Sequence, residues 1–207
     1  MSVAAILLAA GRASRFGAGP DDSKVLARIE GVSLLARVAG AAARSRASSV
    51  VAVVGHASSK VEAELNGFDF DIVRNENLDL GLSHSLRLGL AGVPASASAA
   101  VVLLADMPYV SAEIIDALIS GFETERPEPL AVMPVYRGAR GNPVLLSRKI
   151  FAEAENIRGD RGARHILDQM PLGVLDIPMA SDSILLDIDT PEMLGSAANG
   201  FRFKRQA

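Results

Sequence analysis

Asp106 closes the run AAVVLLADMP, and Asp187 and Asp189 sit two apart in ILLDIDTP near the other end of the chain. A carboxylate at the exit of a doubly buried strand is costly unless something neutralises it. Asp106 therefore points to metal ligation, with a loop or cap hydrogen bond as the alternative. Side chains on a strand alternate with period two, which places Asp187 and Asp189 on one face. Asp189 precedes Thr190 and Pro191, so a helix cap is its other possible role. The opposite charge lies in LLAAGRASRFG, Leu7 to Gly17, where an apolar run stops at Gly11 and Arg12, Arg15 and Lys24 follow. Glycine lets backbone approach a ligand closely, and cations around it suit phosphate.

Two familiar phosphate loops do not fit. Lys24 follows Ser23 without the GKS or GKT of a P-loop, and GRASRFGAG lacks a GxGxxG fingerprint. A solvated basic connecting loop is the alternative reading. Further along, GLSHSLRLGL puts Ser83 and Ser85 at a helix start, where hydroxyls and backbone N–H groups can meet an anion or simply cap. In RGNPVLL, Gly141 and Pro143 fix a turn that presents Asn142; in RGDRGARHIL, Asp160 is placed to cap a helix with Arg164 beside it. Ordinary turn and cap chemistry would also account for both. His56, His84 and His165 show no ligand spacing.

These residues have to be carried by something, and the apolar patterning predicts what. Strands are expected at Val3–Leu8, Val50–Val54, Phe70–Val73, Ala100–Ala105, Leu130–Pro134, Pro143–Leu146, Gly173–Ile177 and Ile184–Ile188. Helices are expected at Ser33–Arg44 with Ser33 as cap, Ser58–Leu65 with Ser58 as cap, Ser83–Leu90, Ser111–Phe122, and near Arg148–Glu155 and Arg161–Gln169. Thr190-Pro191-Glu192 opens a last helix, and the basic tail FRFKRQA is either frayed or a terminal helix. Strand–helix alternation predicts an α/β fold, a Rossmann-like three-layer α/β/α sandwich with a mostly parallel central sheet. Ligands in such sheets lie beyond the carboxyl ends of the strands, where Gly11 and Asp106 fall.

Bulk composition narrows the function classes. The 207 residues carry a net charge of −3, which argues against a nucleic-acid surface. No cysteine is present, which excludes disulfides, thiolate zinc sites and a cysteine nucleophile. Apolar runs such as Ala99–Ala105 fall far short of a membrane span of about 20 residues. The opening MSVAAILLAAGR lacks a basic n-region and reads as a strand rather than a signal peptide. The expectation is a cytoplasmic protein of one domain, residues 1–207.

LAAGRASRFG, followed by Lys24 inside KVLARIEGVSLL, resembles the signature of the MobA-like nucleotidyltransferases, whose pattern is L-A-[AG]-G-x-S-x-R-[MF]-G and then a lysine. The loop before Lys24 is enlarged by AGPDDS relative to most of that family. GLSHSL, ADMP, RGNPVL, GDRGAR and DIDTP resemble further elements of it, in that order, and the resemblance runs from about residue 3 to 194. The resemblance implies a nucleotide-diphospho-sugar transferase type of fold with an NTP-binding half, residues 1–110, and an acceptor half, residues 111–200. It implies that Leu8, Ala9, Ala10, Gly11, Arg12, Arg15 and Lys24 wrap the nucleotide, with Gly81, Ser83, Ser85 and Asp106, and that Lys24, Arg15 and Asp106 are catalytic. Asp106 and Asp189 would share Mg²⁺ with Asp187 behind them. Gly141, Asn142, Pro143, Asp160 and Arg164 would hold an acceptor, a phosphorylated pterin.

Cytidylyltransferases of this superfamily usually carry Ala-Gly where this chain has Ala10-Gly11, and guanylyltransferases Gly-Gly. A methyl under the base crowds a purine more than a pyrimidine, an effect of about 1–3 kcal/mol. The resemblance thus implies transfer of CMP from CTP to molybdenum–molybdopterin cofactor, with a client molybdoenzyme as a further partner. GTP, ATP or a sugar phosphate as substrate, and a non-catalytic cofactor carrier, remain the alternatives.

Overall fold

A computed structural model describes residues 1–11, 23–168 and 173–198. In chain order these form β1 (Ser2–Ala9), β2 (Arg28–Ile29), β3 (Val32–Ser33), α1 (Leu34–Arg44), β4 (Val50–Val54), α2 (Ser58–Leu65) and β5 (Asp71–Arg74). There follow α3 (Leu82–Gly92), β6 (Ala97–Leu104), α4 (Ala112–Thr124), β7 (Ala131–Tyr136), β8 (Ala139–Arg140), β9 (Val144–Ser147), α5 (Ala163–Asp168), β10 (Val174–Pro178) and α6 (Pro191–Ala198). Arg12, Arg15, residues 18–22 of the loop insert AGPDDS and the tail FRFKRQA lie outside the described residues.

The main sheet has the order β10-β7-β9-β6-β1-β4-β5, with β8 paired to β7. β1, β4, β5 and β6 run parallel, as do β7 and β10, while β9 is antiparallel to both of its neighbours. This is the expected three-layer α/β/α fold. Alternation along the central strands builds two cores. Ala5, Leu7, Ala9, Val101 and Leu103 face α1 and α4 through Leu35, Val38, Ile115, Leu118 and Phe122. Ala4, Ile6, Leu8, Ala100 and Val102 face α3 and α5 through Leu86, Leu90, Ile166 and Leu167. A strand buried on both faces must be apolar at every position, which is why β1 and β4 read as unbroken hydrophobic runs. β5 lies at the sheet edge and exposes Asp71, Ile72 and Arg74.

Local chemistry explains most element starts. The Ser33 hydroxyl accepts from the Ala36 amide at 2.9 Å and caps α1. Thr190 caps α6 through the Met193 amide at 3.3 Å, with Pro191 in the first position. Ser58 does not cap α2; Ala57, left-handed at φ 52°, precedes it after a β-bridge to Gly55. The helix expected near Arg148–Glu155 is a 3-10 helix, Arg148–Asn156, and Asp160 caps nothing, because α5 begins later at Ala163.

The expected strand Ile184–Ile188 does not form. Asp182–Leu185 is a 3-10 turn, and the following residues run extended outside the sheet. Their backbone is bonded to loops instead: the Asn142 amide donates to the Ile184 carbonyl and the Ile188 amide to the Asp106 carbonyl, both at 2.9 Å. Ile188 also closes a small apolar cluster with Ile29 and Leu34, against Tyr109, Met193 and Leu194. That cluster fastens the late segment beside the β2–β3 hairpin.

A methyl on Gly141 would lie 2.3 Å from the Ile184 carbonyl oxygen, a backbone atom that cannot yield cheaply. Gly141→Ala is expected to cost about 1–3 kcal/mol and to lower the melting temperature by roughly 2–12 °C. Gly195 has nothing within 4 Å of the same position and lies in α6, so Gly195→Ala should leave the thermal denaturation curve unchanged or raise it.

Candidate active site

Parallel β1, β4, β5 and β6 end at one edge of the sheet, and their carboxyl ends set out the site. The Ala105 amide donates to the Leu8 carbonyl and the Asn75 amide to the Val54 carbonyl, extending the ladder to the residues just past the strands. A cavity of about 510 Å³ opens there. Leu8, Ala10 and Gly11 line it from β1, Leu104 and Asp106 from β6, and Lys24 and Val25 from the first 3-10 turn. The opposite wall is Asn75, Leu78, Asp79, Gly81, Leu82, Ser85 and Asp160.

Lys24 is the centre of charge. Its backbone is held in the turn Lys24–Leu26 by the Ala27 amide, which donates to the Lys24 carbonyl at 3.0 Å, and Val25 is buried beneath it. Its Nζ lies 2.7 Å from Asp106 Oδ2 and 2.5 Å from Asp189 Oδ1, with only 14% of the lysine side chain exposed. Asp106 Oδ1 is buried and has no hydrogen-bond partner among the described residues. Burial pulls the Lys24 ammonium down, but the charge and hydrogen bond of Asp106, joined by those of Asp189, outweigh it and hold it above its ordinary value. Asp187 stands behind: burial pushes its carboxyl up, against a backbone hydrogen bond, and the charge and hydrogen bond of Asp189 and the charge of Asp106 act in the same upward direction.

The carboxylates of Asp106 and Asp189, 83 residues apart in the numbering, thus converge on one cation. In this structure that cation is the lysine ammonium. The donor set also fits a hard divalent ion: carboxylate oxygens, one of them buried and unpaired, beside a cavity open to phosphate and water.

Other expected residues fall differently. Ser85 lines the cavity and its hydroxyl accepts from Asn75 Nδ2 at 2.9 Å. Ser83 does not line it: its side chain is fully buried, its amide donates to the Gly159 carbonyl at 2.9 Å and its hydroxyl to Leu80. Ala9 points into the α1/α4 core, away from the cavity. Gly81, at φ 75°, lines the cavity, but its missing methyl accommodates Gly159 as well; a Cβ there would sit 2.4 Å from the Gly159 carbonyl carbon.

The five acceptor candidates differ in their exposure and partners. Asp160 faces the cavity itself. Gly141 and Pro143 are buried on either side of half-buried Asn142, the Asn142–Pro143 bond is cis, and the Gly141 amide donates to Pro134. Arg164 is exposed and donates to the Arg140 carbonyl at 2.7 Å.

Sequence reading missed Asn75, which is 3% exposed and links Ser85 to the Asn77 amide through Oδ1. Its signal was its place, one residue beyond the carboxyl end of β5.

A profile described as MobA-like NTP transferase domain matches residues 5–174. The chain belongs to the MobA-like NTP transferase family. Among its relatives is the purine catabolism protein PucB of Bacillus subtilis, 34% identical over 119 residues. That match covers 56% of this chain and 56% of PucB, so it spans about half the length of that relative. Nicotine blue oxidoreductase of Paenarthrobacter nicotinovorans is 29% identical over 196 residues, covering 93% of this chain and 94% of that protein. The fold recurs in the homologue of Mycobacterium tuberculosis Rv0371c from Mycobacterium sp. strain JC1, with a TM-score of 0.83, 26% identity and 95% of each chain covered. It recurs too in the manganese complex of Rv0371c itself, at a TM-score of 0.81 and 23% identity, over 97% of this chain and 100% of that one. Among the described residues of this MobA-like chain, no helix is long and apolar enough to cross a membrane.

Two outcomes follow from this geometry. Asn75→Ala leaves the Ser85 hydroxyl and the Asn77 amide without their partner, at an expected cost of about 1–3 kcal/mol in denaturant unfolding. Lys24 has a raised pKa, so its bridge is complete below the ordinary lysine value and is lost only as pH climbs through the raised one. The stability gap between wild type and Lys24→Met in metal-free buffer is therefore expected to stay constant from about pH 7 to about pH 9. A gap that shrinks across that window would contradict the assignment.

Proposed function

We propose that this MobA-like protein is a Mg²⁺-dependent cytidylyltransferase that moves CMP from CTP onto the phosphate of molybdenum–molybdopterin cofactor. The observation that carries the reading is the convergence of Asp106 and Asp189 on Lys24, with Lys24 and Asp106 lining a cavity that Ala10 and Gly11 also line. On this reading residues 1–110 form the nucleotide half and residues 111–200 the acceptor half of one domain, working in the cytoplasm with a client molybdoenzyme.

The reaction needs no protein nucleophile. A phosphate oxygen of the acceptor forms a bond to the α-phosphorus of CTP while the bond from that phosphorus to the bridging oxygen breaks, and pyrophosphate leaves. A phosphate monoester is already largely ionised at neutral pH, so the work is alignment and charge neutralisation. Gly11 offers open backbone, having nothing within 4 Å where a side chain would stand. Lys24, with Arg15, would meet the negative triphosphate. Asp106 and Asp189 are the residues to hold Mg²⁺, which when bound neutralises charge on the phosphates. Ala10 lines the cavity, and a methyl beneath the base would crowd a purine more than a pyrimidine.

Asp106→Ala is expected to lose at least about 100-fold in turnover with the fold retained by circular dichroism, since it removes a group that stabilises transferring phosphoryl charge. Pyrophosphate release should be fastest with CTP among four NTPs and should require molybdopterin cofactor. Preference for GTP, or turnover with a sugar phosphate instead of the pterin, would replace the substrate pair. Tight cofactor binding without any pyrophosphate would replace the enzyme with a carrier.

A further inference from the structure

The two carboxylates that would hold a metal ion already hold a lysine. Lys24 Nζ contacts the oxygens of Asp106 and Asp189 that face each other, at 2.7 and 2.5 Å. No divalent ion can share those oxygens while the ammonium is there, because like charges a few ångströms apart in a half-buried site repel strongly. Nor can the ammonium simply leave. Withdrawing it removes the partner of the Asp106 carboxylate, whose side chain is only 20% exposed, and an uncompensated buried charge is strongly unfavourable. The resting site is thus closed by its own residue.

Two features make that closure reversible. The Lys24 backbone is fixed in the turn Lys24–Leu26, while its four-carbon stem and three rotatable donors can re-aim. And the surface next to it is the cavity wall at Gly11, where both Lys24 and Asp106 are exposed to whatever fills the cavity. An anion with several phosphates placed there would give the ammonium a second partner as good as the first. Asp106 Oδ1, buried and unpaired while Oδ2 is taken, is the atom that gains most from the exchange.

We propose that Lys24 is an internal cation that keeps the Asp106–Asp189 site closed to free divalent metal, and that the polyphosphate of the nucleotide opens it by drawing the lysine away. This rests on the reading of the cavity as a nucleoside triphosphate site. The species that binds productively is then the metal–triphosphate complex. Free metal and free nucleotide each bind weakly, and each strengthens the other by the same factor, as linkage requires.

The test measures Mn²⁺ binding to the full chain without nucleotide, by the electron paramagnetic resonance signal of the free ion. Lys24→Met is expected to bind Mn²⁺ at least tenfold more tightly than wild type, and wild type to gain at least tenfold when a non-hydrolysable CTP analogue is added. Equal or weaker Mn²⁺ binding by Lys24→Met overturns the proposal. Should that variant not fold, Lys24→Gln carries the same comparison. A thermal-shift titration gives an independent readout, because Mn²⁺ should raise the melting temperature of the variant at concentrations that leave wild type unmoved. If wild type binds no nucleoside triphosphate yet the tenfold Mn²⁺ difference persists, the transferase reading fails while the internal cation stands.

Discussion

One ammonium group between two carboxylates organises the working end of this molecule. Lys24 comes from the first loop region, Asp106 from the end of the central strand and Asp189 from the last segment before α6. Taking charges out of water costs nearly what their attraction returns, so such a cluster is a poor source of stability. What it achieves is geometry. The late segment reaches Lys24 because Ile188 donates to the Asp106 carbonyl and is buried with Ile29 and Leu34. Apolar burial supplies the anchor, and the ion cluster uses the position it creates.

The cavity depends on the same division of labour. Its floor is the end of β1, where alternation sends Leu8 and Ala10 to one face and Ala9 to the other. Its far wall is a packed arrangement of backbone: Gly81 lies against Gly159 too closely for any side chain, and the Ser83 amide is bonded to that glycine. Asn75 ties the wall together by bridging Ser85 and the Asn77 amide. A site whose lining is held by backbone contacts and one buried amide is pre-shaped, which lowers the entropy lost on binding a flexible triphosphate.

The segment Gly141–Pro143 shows how a polar motif can also serve the fold. Read along the chain, it is a turn that presents Asn142 to a ligand. In the fold, Gly141 and Asn142 spend their amides on Pro134 and Ile184, and the glycine is required by the Ile184 carbonyl. Asp160, read as a helix cap, instead lines the cavity. Both differences have one origin: a turn residue's partners are set by which distant strand or loop passes nearby, and nothing local encodes that.

Periodicity by itself determined the three-layer α/β fold, because strands buried on both faces must be apolar throughout and helices must keep one apolar stripe. The same rule put Gly11 and Asp106 at the carboxyl edge of the sheet before any contact was known. Ser33 and Thr190 were legible as caps, since a cap is a contact of three residues' reach. Only the tertiary structure decided that Ile184–Ile188 leaves the sheet, that Ser83 turns inward while Ser85 faces the cavity, that Asn75 belongs to the site, and that Asp106 and Asp189 meet on Lys24. Local pattern reports which face a side chain takes. Which atoms then meet across 165 residues of chain is settled by packing, because only the assembled core brings those segments within hydrogen-bond reach.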